Sequence, residues 1–338
     1  METYLQIKRT KMVDEASIGH TPTPLTSTML RFVLVFLIGT LLGNFVASVP
    51  LGIYLVSKTN IYSILVDLST EKITADAAAE GLAEILSNIP PVFLAISLIC
   101  TATSIIAAVF YCKKFEKRGI ASMGIRKGNA AAEYLVGMLI GVLMYCLALL
   151  IAWATGSVTV RINPDGFAPI IVLFLIGYII QGASEELLVR GFFMVSAARD
   201  YKPWVAIIFS SLMFAILHTG NIAVTPLALI NIFLYGVLMG IYIFKRGSIW
   251  GACAIHSFWN FTQGNIFGSY VSGNTTTSSV FLMEYDPARQ LANGGAFGLE
   301  GGAATTIVLV VAICITLALK TKKSEISVLE SPLSFNVE

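Results

Sequence analysis

The chain has 338 residues, of which 56% are hydrophobic and only 12% are charged. Soluble domains usually carry about 25% charged residues, so this composition excludes a soluble protein and predicts an integral membrane protein with the lipid bilayer as its first partner. The net charge of +2 is too small to predict a nucleic-acid partner. The sequence also lacks a CxxC pair among its five cysteines, so neither a zinc ribbon nor a redox site is expected.

Apolar segments predict an all-α, polytopic transmembrane bundle with about eight spans, since a crossing helix needs about 20 apolar residues. We see neither a soluble domain nor an internal repeat. The clearest candidate spans cover residues 30–57, 90–112, 131–155 and 167–197. Shorter or interrupted candidates cover 203–218, 223–244, 249–267 and 304–320.

Basic residues cluster before the first predicted span, after the last one, and after the second, fourth and sixth. Because basic loops stay on the cytoplasmic side, eight spans place every cluster on one side and both termini in the cytoplasm. No cleavable signal peptide is evident, since the first apolar run begins near Leu30 after a polar tail. The short connections favour a bacterial plasma membrane.

The pattern divides the chain into six segments. Within the second, Ala75–Leu86 is predicted as a surface amphipathic helix. The six are a cytoplasmic tail (1–29), N-terminal transmembrane helices with an external amphipathic segment (30–165), a transmembrane core (166–268), an external Gly/Ser/Thr-rich loop (269–303), the last transmembrane helix (304–320) and a cytoplasmic tail (321–338).

The predicted core carries an acidic pair and an arginine at helical spacing. Glu186 and Arg190 are four residues apart, so they share a helix face and can form an ion pair. Glu185 points about 100° away and has no arginine at that spacing, which leaves it free to exchange a proton. The alternative is an ion pair that only fastens two helices, but this leaves the cost of burying Glu185 unexplained.

Two further polar motifs follow on the next apolar segments. His218 ends one run, with Phe214 one turn before it as a candidate wall of the site. His256 and Asn260 again share a helix face and are candidate donors to a developing oxyanion. A satisfied histidine at a helix end and a hydrogen-bonded pair between helices are the structural alternatives.

The predicted depths of the three motifs in the membrane favour one shared site. At about 1.5 Å per residue, Glu185 and His218 each lie roughly 20 Å from the nearest predicted cytoplasmic turn, and the third motif lies roughly 12–18 Å deep. Ionisable groups at such depths are costly and mark functional sites. These groups also build proton relays, so a proton-coupled transporter or a non-catalytic scaffold is the alternative function.

The ordered motifs resemble those of the CPBP intramembrane proteases, or Abi family, which includes the CAAX prenyl endopeptidases. That family carries EExxxR, FxxxH and HxxxN on successive helices, and the resemblance covers about residues 167–265. The matching segments here are Glu185-Glu186-Leu-Leu-Val-Arg190, Phe214-Ala-Ile-Leu-His218 and His256-Ser-Phe-Trp-Asn260.

The resemblance implies an endopeptidase that hydrolyses membrane-associated peptides or proteins, in peptide maturation or bacteriocin-type processing and immunity. Glu185 with His218 would activate the attacking water, and Glu186 with Arg190 would fix that geometry. His256 and Asn260 would stabilise the oxyanion. No cofactor is expected to be required; zinc on Glu185, His218 and His256 stays an alternative, although HExxH is absent.

Overall fold

The computed structural model describes residues 7–164, 168–275, 278–322 and 326. Nearly all regular structure in these ranges is helical, which confirms the predicted all-α class. The helices are α1 (Lys11–Ser17), α2 (Leu25–Lys58), α3 (Ile61–Ser69), α4 (Ala75–Ser87), α5 (Pro91–Lys114), α6 (Ala130–Ala154), α7 (Ile170–Asp200), α8 (Pro203–Leu217), α9 (Pro226–Arg246), α10 (Trp250–Phe261), α11 (Gln290–Asn293) and α12 (Ala303–Ala318).

Five helices of the described chain are long and apolar enough to cross a bilayer, namely α2, α5, α6, α7 and α9. They support a multi-pass membrane protein. The apolar helices α8 and α12 have only 15 and 16 residues, which reach roughly 22–24 Å, short of a hydrocarbon core about 30 Å thick. Helix α10 has 12 residues before a five-residue π-helical turn, Thr262–Ile266. The count of eight spans therefore stays a prediction.

Helix bounds differ from the predicted ones mainly at the ends. The first span starts at Leu25, five residues before the predicted start, because its polar Thr-Ser-Thr stretch also folds as helix. The amphipathic helix predicted at 75–86 is α4, whose Thr74 side chain accepts a hydrogen bond from the backbone N–H of Ala77. The predicted tail 321–338 lies outside the described residues, except for 321, 322 and 326.

The segment predicted as an external loop, 269–303, contains regular structure in its described part. Strand β2 (Phe281–Tyr285) pairs antiparallel with β1 (Val158–Ile162), with Val160 opposite Met283. Three 3₁₀ turns and the short helix α11 follow β2, and the chain then enters α12. This segment therefore folds back onto the bundle, which its Gly/Ser/Thr-rich composition did not predict.

Both terminal segments lie at one end of the bundle. Thr10 and Ile326 form an isolated antiparallel bridge. Arg9 Nη1 donates to the carbonyl of Ala198, 3.0 Å away at the end of α7. Lys322 donates its backbone N–H to the carbonyl of Lys245, 3.0 Å away at the end of α9. This shared end is the geometry that the distribution of basic residues predicts.

Helix α7 changes to a π-helix over Leu187–Met194, directly after the acidic pair, and every residue of this turn is buried. The buried Arg118, which lies between α5 and α6, donates from Nη2 to the carbonyl of Phe192 at 3.2 Å. Its Nε donates to Glu116 at 2.6 Å. Burial acts to raise the pKa of Glu116, but Arg118 and Arg199 hold that pKa below its usual value. Arg118 therefore supports the π-helical turn and depends on Glu116.

We predict that Arg118→Met destabilises the protein by about 3–5 kcal/mol, because it leaves Glu116 buried without one of its two cationic partners. Arg161→Met is the matched control, since Arg161 pairs with Glu284 on the surface, where both side chains are about 60% exposed. That change should cost about 1 kcal/mol or less. Thermal unfolding in detergent measures both effects, and equal losses in the two variants would contradict the role given to Arg118.

Candidate active site

One carboxylate oxygen joins two of the predicted motifs. Glu186 Oε1 accepts from Arg190 Nη1 at 3.1 Å, across one turn of α7. The same oxygen accepts from His256 Nδ1 on α10 at 3.0 Å. The side chains of Glu186 and Arg190 are completely inaccessible to solvent, and that of His256 is 7% exposed. This buried cluster fixes the imidazole relative to the acidic pair.

The arginine of this cluster also rests on the second motif. Arg190 Cζ lies 4.3 Å from the centre of the Phe214 ring, so the guanidinium makes a cation–π contact. The Phe214 ring in turn packs edge-on against His218, with ring centres 4.6 Å apart. Phe214 therefore links the ion pair of α7 to the histidine that follows α8.

Glu185 has a different environment from its neighbour. Its side chain is 29% exposed, and its Oε2 lies 3.6 Å from His256 Nε2. Glu185 Oε1 accepts from Gln181 Nε2, one turn earlier on α7. Gln181 Oε1 accepts from Asn260 Nδ2 at 3.1 Å. Glu185 is thus oriented through one oxygen, while Oε2 has no hydrogen-bond partner among the described residues.

The hydrogen bonds of the two histidines determine which ring nitrogens face the site. His218 Nδ1 lies 2.7 Å from the carbonyl oxygen of Phe214. Because a carbonyl only accepts, Nδ1 is the donor, and Nε2 is the ring nitrogen left for the site. His256 Nδ1 likewise donates to the Glu186 carboxylate, which leaves its Nε2 next to Glu185.

A cavity of about 410 Å³ lies in front of these groups. This volume is within the usual range of about 300–1,000 Å³ for ligand sites. Its far end is lined by Asn221, Ser272 and Asn274, in the connections opposite the end that holds the termini. Five of the predicted site residues line the cavity, namely Glu185, Phe214, His218, His256 and Asn260. Glu186 and Arg190 lie behind the wall and contact it through His256 and Phe214.

Three cavity-lining residues were missed by the sequence reasoning. Gln181 precedes Glu185 by four residues, so the helix-face argument that paired Glu186 with Arg190 could have found it. Tyr235 on α9 packs its ring against His256, with ring centres 5.4 Å apart, and its buried hydroxyl has no hydrogen-bond partner in the described chain. Glu300 lies in the segment predicted as an external loop. Neither Tyr235 nor Glu300 belongs to a motif that spacing could identify.

The alternative zinc set consists of Glu185, His218 and His256. Across the described ranges, no three His, Cys, Asp or Glu side chains are arranged to hold a metal ion. One ring nitrogen of each histidine is already engaged, by Phe214 in His218 and by Glu186 in His256. Nε2 of each histidine therefore stays available to the site, and zinc on Glu185, His218 and His256 stays a prediction.

Close packing holds α10 against α7 at the level of the site. Gly182, one turn before Glu186, lies against Ser257, the residue after His256. A Cβ atom at position 182 would lie 2.5 Å from Ser257 Oγ and 2.8 Å from its backbone nitrogen. Glycine is therefore required for the helix separation that lets His256 reach Glu186.

These features bring acid–base groups of α7, of α10 and of the turn after α8 to one cavity. A comparison with known protein families covers these same elements. The family described as "Type II CAAX prenyl endopeptidase Rce1-like" matches residues 167–262, which include all three motifs. The family resemblance predicted from the motifs is thereby confirmed for this segment, which is less than a third of the chain. No curated protein and no solved structure matches the chain.

We predict that Gly182→Ala lowers both activity and stability, since overpacking of a tight contact typically costs about 1–3 kcal/mol and here separates His256 from Glu186. Gly52→Ala is the control, because a Cβ at position 52 of α2 would meet no atom within 4 Å. Thermal unfolding and peptide cleavage measured on both variants test this. Wild-type activity in Gly182→Ala would show that the separation of α7 and α10 is not critical.

Proposed function

We propose that the protein is an intramembrane endopeptidase that hydrolyses a peptide bond with a water molecule activated by Glu185. The observation that carries this proposal is that Glu185 lines the cavity with one oxygen, Oε2, that accepts no hydrogen bond from the described residues and lies 3.6 Å from His256 Nε2, while Glu186 and Arg190 fix the histidine from behind. The match to a CAAX endopeptidase family over residues 167–262 supports the same class of reaction.

The first step forms the bond between water and the scissile carbonyl. Glu185 and His218 hold the water in the cavity, and Glu185 takes its proton as the oxygen attacks the carbonyl carbon. The carbonyl oxygen becomes an oxyanion next to His256 and Asn260. Asn260 has a second N–H besides the one given to Gln181, and a doubly protonated His256 donates to Glu186 and to the oxyanion together.

The second step breaks the carbon–nitrogen bond. The tetrahedral intermediate collapses, and the proton held by Glu185 passes to the leaving amine. No covalent acyl-enzyme is needed, and the two serines beside the motifs are directed elsewhere. Ser184 Oγ donates to the carbonyl of Gln181 at 2.8 Å, and Ser257 Oγ donates to that of Cys253 at 2.7 Å.

The apolar character of the cavity supports a membrane-associated substrate. Its wall is largely apolar and includes Phe36 of α2 and Leu94 and Leu98 of α5. A membrane-anchored peptide or protein segment fits these surroundings better than a soluble polar chain. We place both termini in the cytoplasm of a bacterial cell, with a role in peptide maturation or bacteriocin-type processing and immunity, and with no required cofactor.

Glu185→Gln should reduce peptide cleavage by about 10²–10⁴-fold, the usual contribution of a positioned general base. The amide keeps the shape of the side chain, so expression and thermal stability should stay at wild-type levels. Glu84→Gln, on the exposed surface of α4, is the matched control and should retain full activity. Terminal-residue proteomics of membranes from cells that express each variant measures the effect; full processing in Glu185→Gln would rule out the assigned base.

Glu186→Ala should behave differently, because it removes the shared partner of Arg190 and His256. Leaving a buried cation unpaired costs about 3–5 kcal/mol, so both thermal stability and cleavage should fall. Comparing its melting temperature in detergent with that of Glu185→Gln separates the two roles. An unchanged melting temperature in Glu186→Ala would show that the ion pair does not hold the site together.

A further inference from the structure

A third carboxylate, Glu300, reaches the cavity from outside the motif helices. It lies in the 3₁₀ turn Leu299–Gly301, just before α12. Its Oε1 accepts from Trp259 Nε1 at 3.2 Å, and its Oε2 accepts from Ser272 Oγ at 2.7 Å. Trp259 lies between His256 and Asn260 in sequence on α10, so the position of Glu300 is tied directly to the helix that carries the third motif.

The backbone around Glu300 is also held in place. Asn231 of α9 donates from Nδ2 to the carbonyl of Glu300 at 2.7 Å and to that of Gly302 at 3.0 Å. Asn231 itself is 2% exposed. The carboxylate is therefore presented at a fixed place on the cavity wall by α9, α10 and the chain around Ser272.

The described lining of the cavity offers Glu300 no lysine or arginine side chain as an ion-pair partner. Its lining includes Glu185, Glu300 and two histidines, but no lysine or arginine. Among the described residues no lysine or arginine forms an ion pair with Glu300, and both of its protein partners are neutral donors. Burial raises the pKa of Glu300, against the opposing effects of Ser272 and His218. A carboxylate has about four lone-pair sites, so two stay available after the bonds from Trp259 and Ser272.

We propose that Glu300 forms a substrate subsite that binds a cationic side chain, lysine or arginine, of the peptide beside the scissile bond. This inference rests on the proposed endopeptidase function, because the bound peptide is a substrate only if the protein cleaves it. It adds a substrate preference to that function. A cationic group would satisfy the remaining acceptor sites of Glu300 and balance the acidic cavity. Glu300 is thus a specificity-determining residue that takes no part in the bond-breaking step.

A purely structural role is the competing explanation, in which Glu300 only fastens its loop to α10. Glu300→Gln separates the two explanations because the amide oxygen can still accept from Trp259 while the charge is lost. Glu300→Asp keeps the charge on a shorter side chain. Glu284→Gln is the control, since Glu284 is an exposed carboxylate on β2 of the same external segment.

The experiment uses two pools of short, apolar, quenched-fluorescent peptides that differ only at one scanned position, lysine in one pool and norleucine in the other. Cleavage is measured with the full-length protein in detergent. Wild type should show a kcat/KM roughly tenfold or more higher for the lysine pool, mostly through KM. Glu300→Gln should lose this preference, Glu300→Asp should retain part of it, and Glu284→Gln should match wild type.

Binding of the same pools is measured separately in the Glu185→Gln background, where cleavage is not required. The lysine pool should bind more tightly to Glu185→Gln, and the preference should disappear when Glu300→Gln is added. Equal affinity for both pools in Glu185→Gln would overturn the cationic subsite, even if wild type cleaves both pools. A preference in binding without cleavage by wild type would instead overturn the endopeptidase and leave the subsite standing. If Glu300→Gln unfolds, a folded Glu300→Asp takes its place: a reduced preference for lysine supports the subsite, and a preference as strong as that of wild type contradicts it.

Discussion

The site depends on one buried carboxylate oxygen, Glu186 Oε1, which accepts from Arg190 and His256 at once. In an apolar interior, a charged group is stable only when it is paired and hydrogen-bonded. The pairing of Glu186 therefore fixes α10 on α7 as well as the orientation of the His256 ring. Glu185, one residue earlier, remains oriented but incompletely paired, and this difference between adjacent carboxylates is what makes water activation chemically reasonable.

The rest of the fold serves this arrangement. Gly182 allows α7 and α10 to approach closely enough for the hydrogen bond to form. Arg118, in the connection between α5 and α6, supports the π-helical turn that follows the acidic pair by donating to one of its carbonyl groups. The segment 269–303 folds back onto the bundle, held by the β1–β2 pairing and by Asn231, and so places Glu300 on the cavity that the motif residues line.

The sequence was informative wherever a local rule applies. Spacing of four residues predicted that Glu186 reaches Arg190, and hydropathy located the main helices, since both depend on helix geometry alone. Gln181 obeys the same rule and could have been found. Glu300 could not have been predicted as a site residue, because its position at the cavity depends on the path of a long connection and on hydrogen-bond partners in three other segments. The π-helical turn Leu187–Met194 was not predicted for a similar reason. Arg118 donates to a carbonyl of this turn only because tertiary packing brings the two together.

The most direct test of this account is an experimental structure of the Glu185→Gln protein with an uncleaved peptide bound in a lipid nanodisc. The account predicts a peptide carbonyl within hydrogen-bond distance of His256 and Asn260, a water molecule between that carbonyl and position 185, and the Glu186–His256 contact intact. A peptide bound outside the cavity, or His256 turned away from Glu186 with the carbonyl elsewhere, would contradict it.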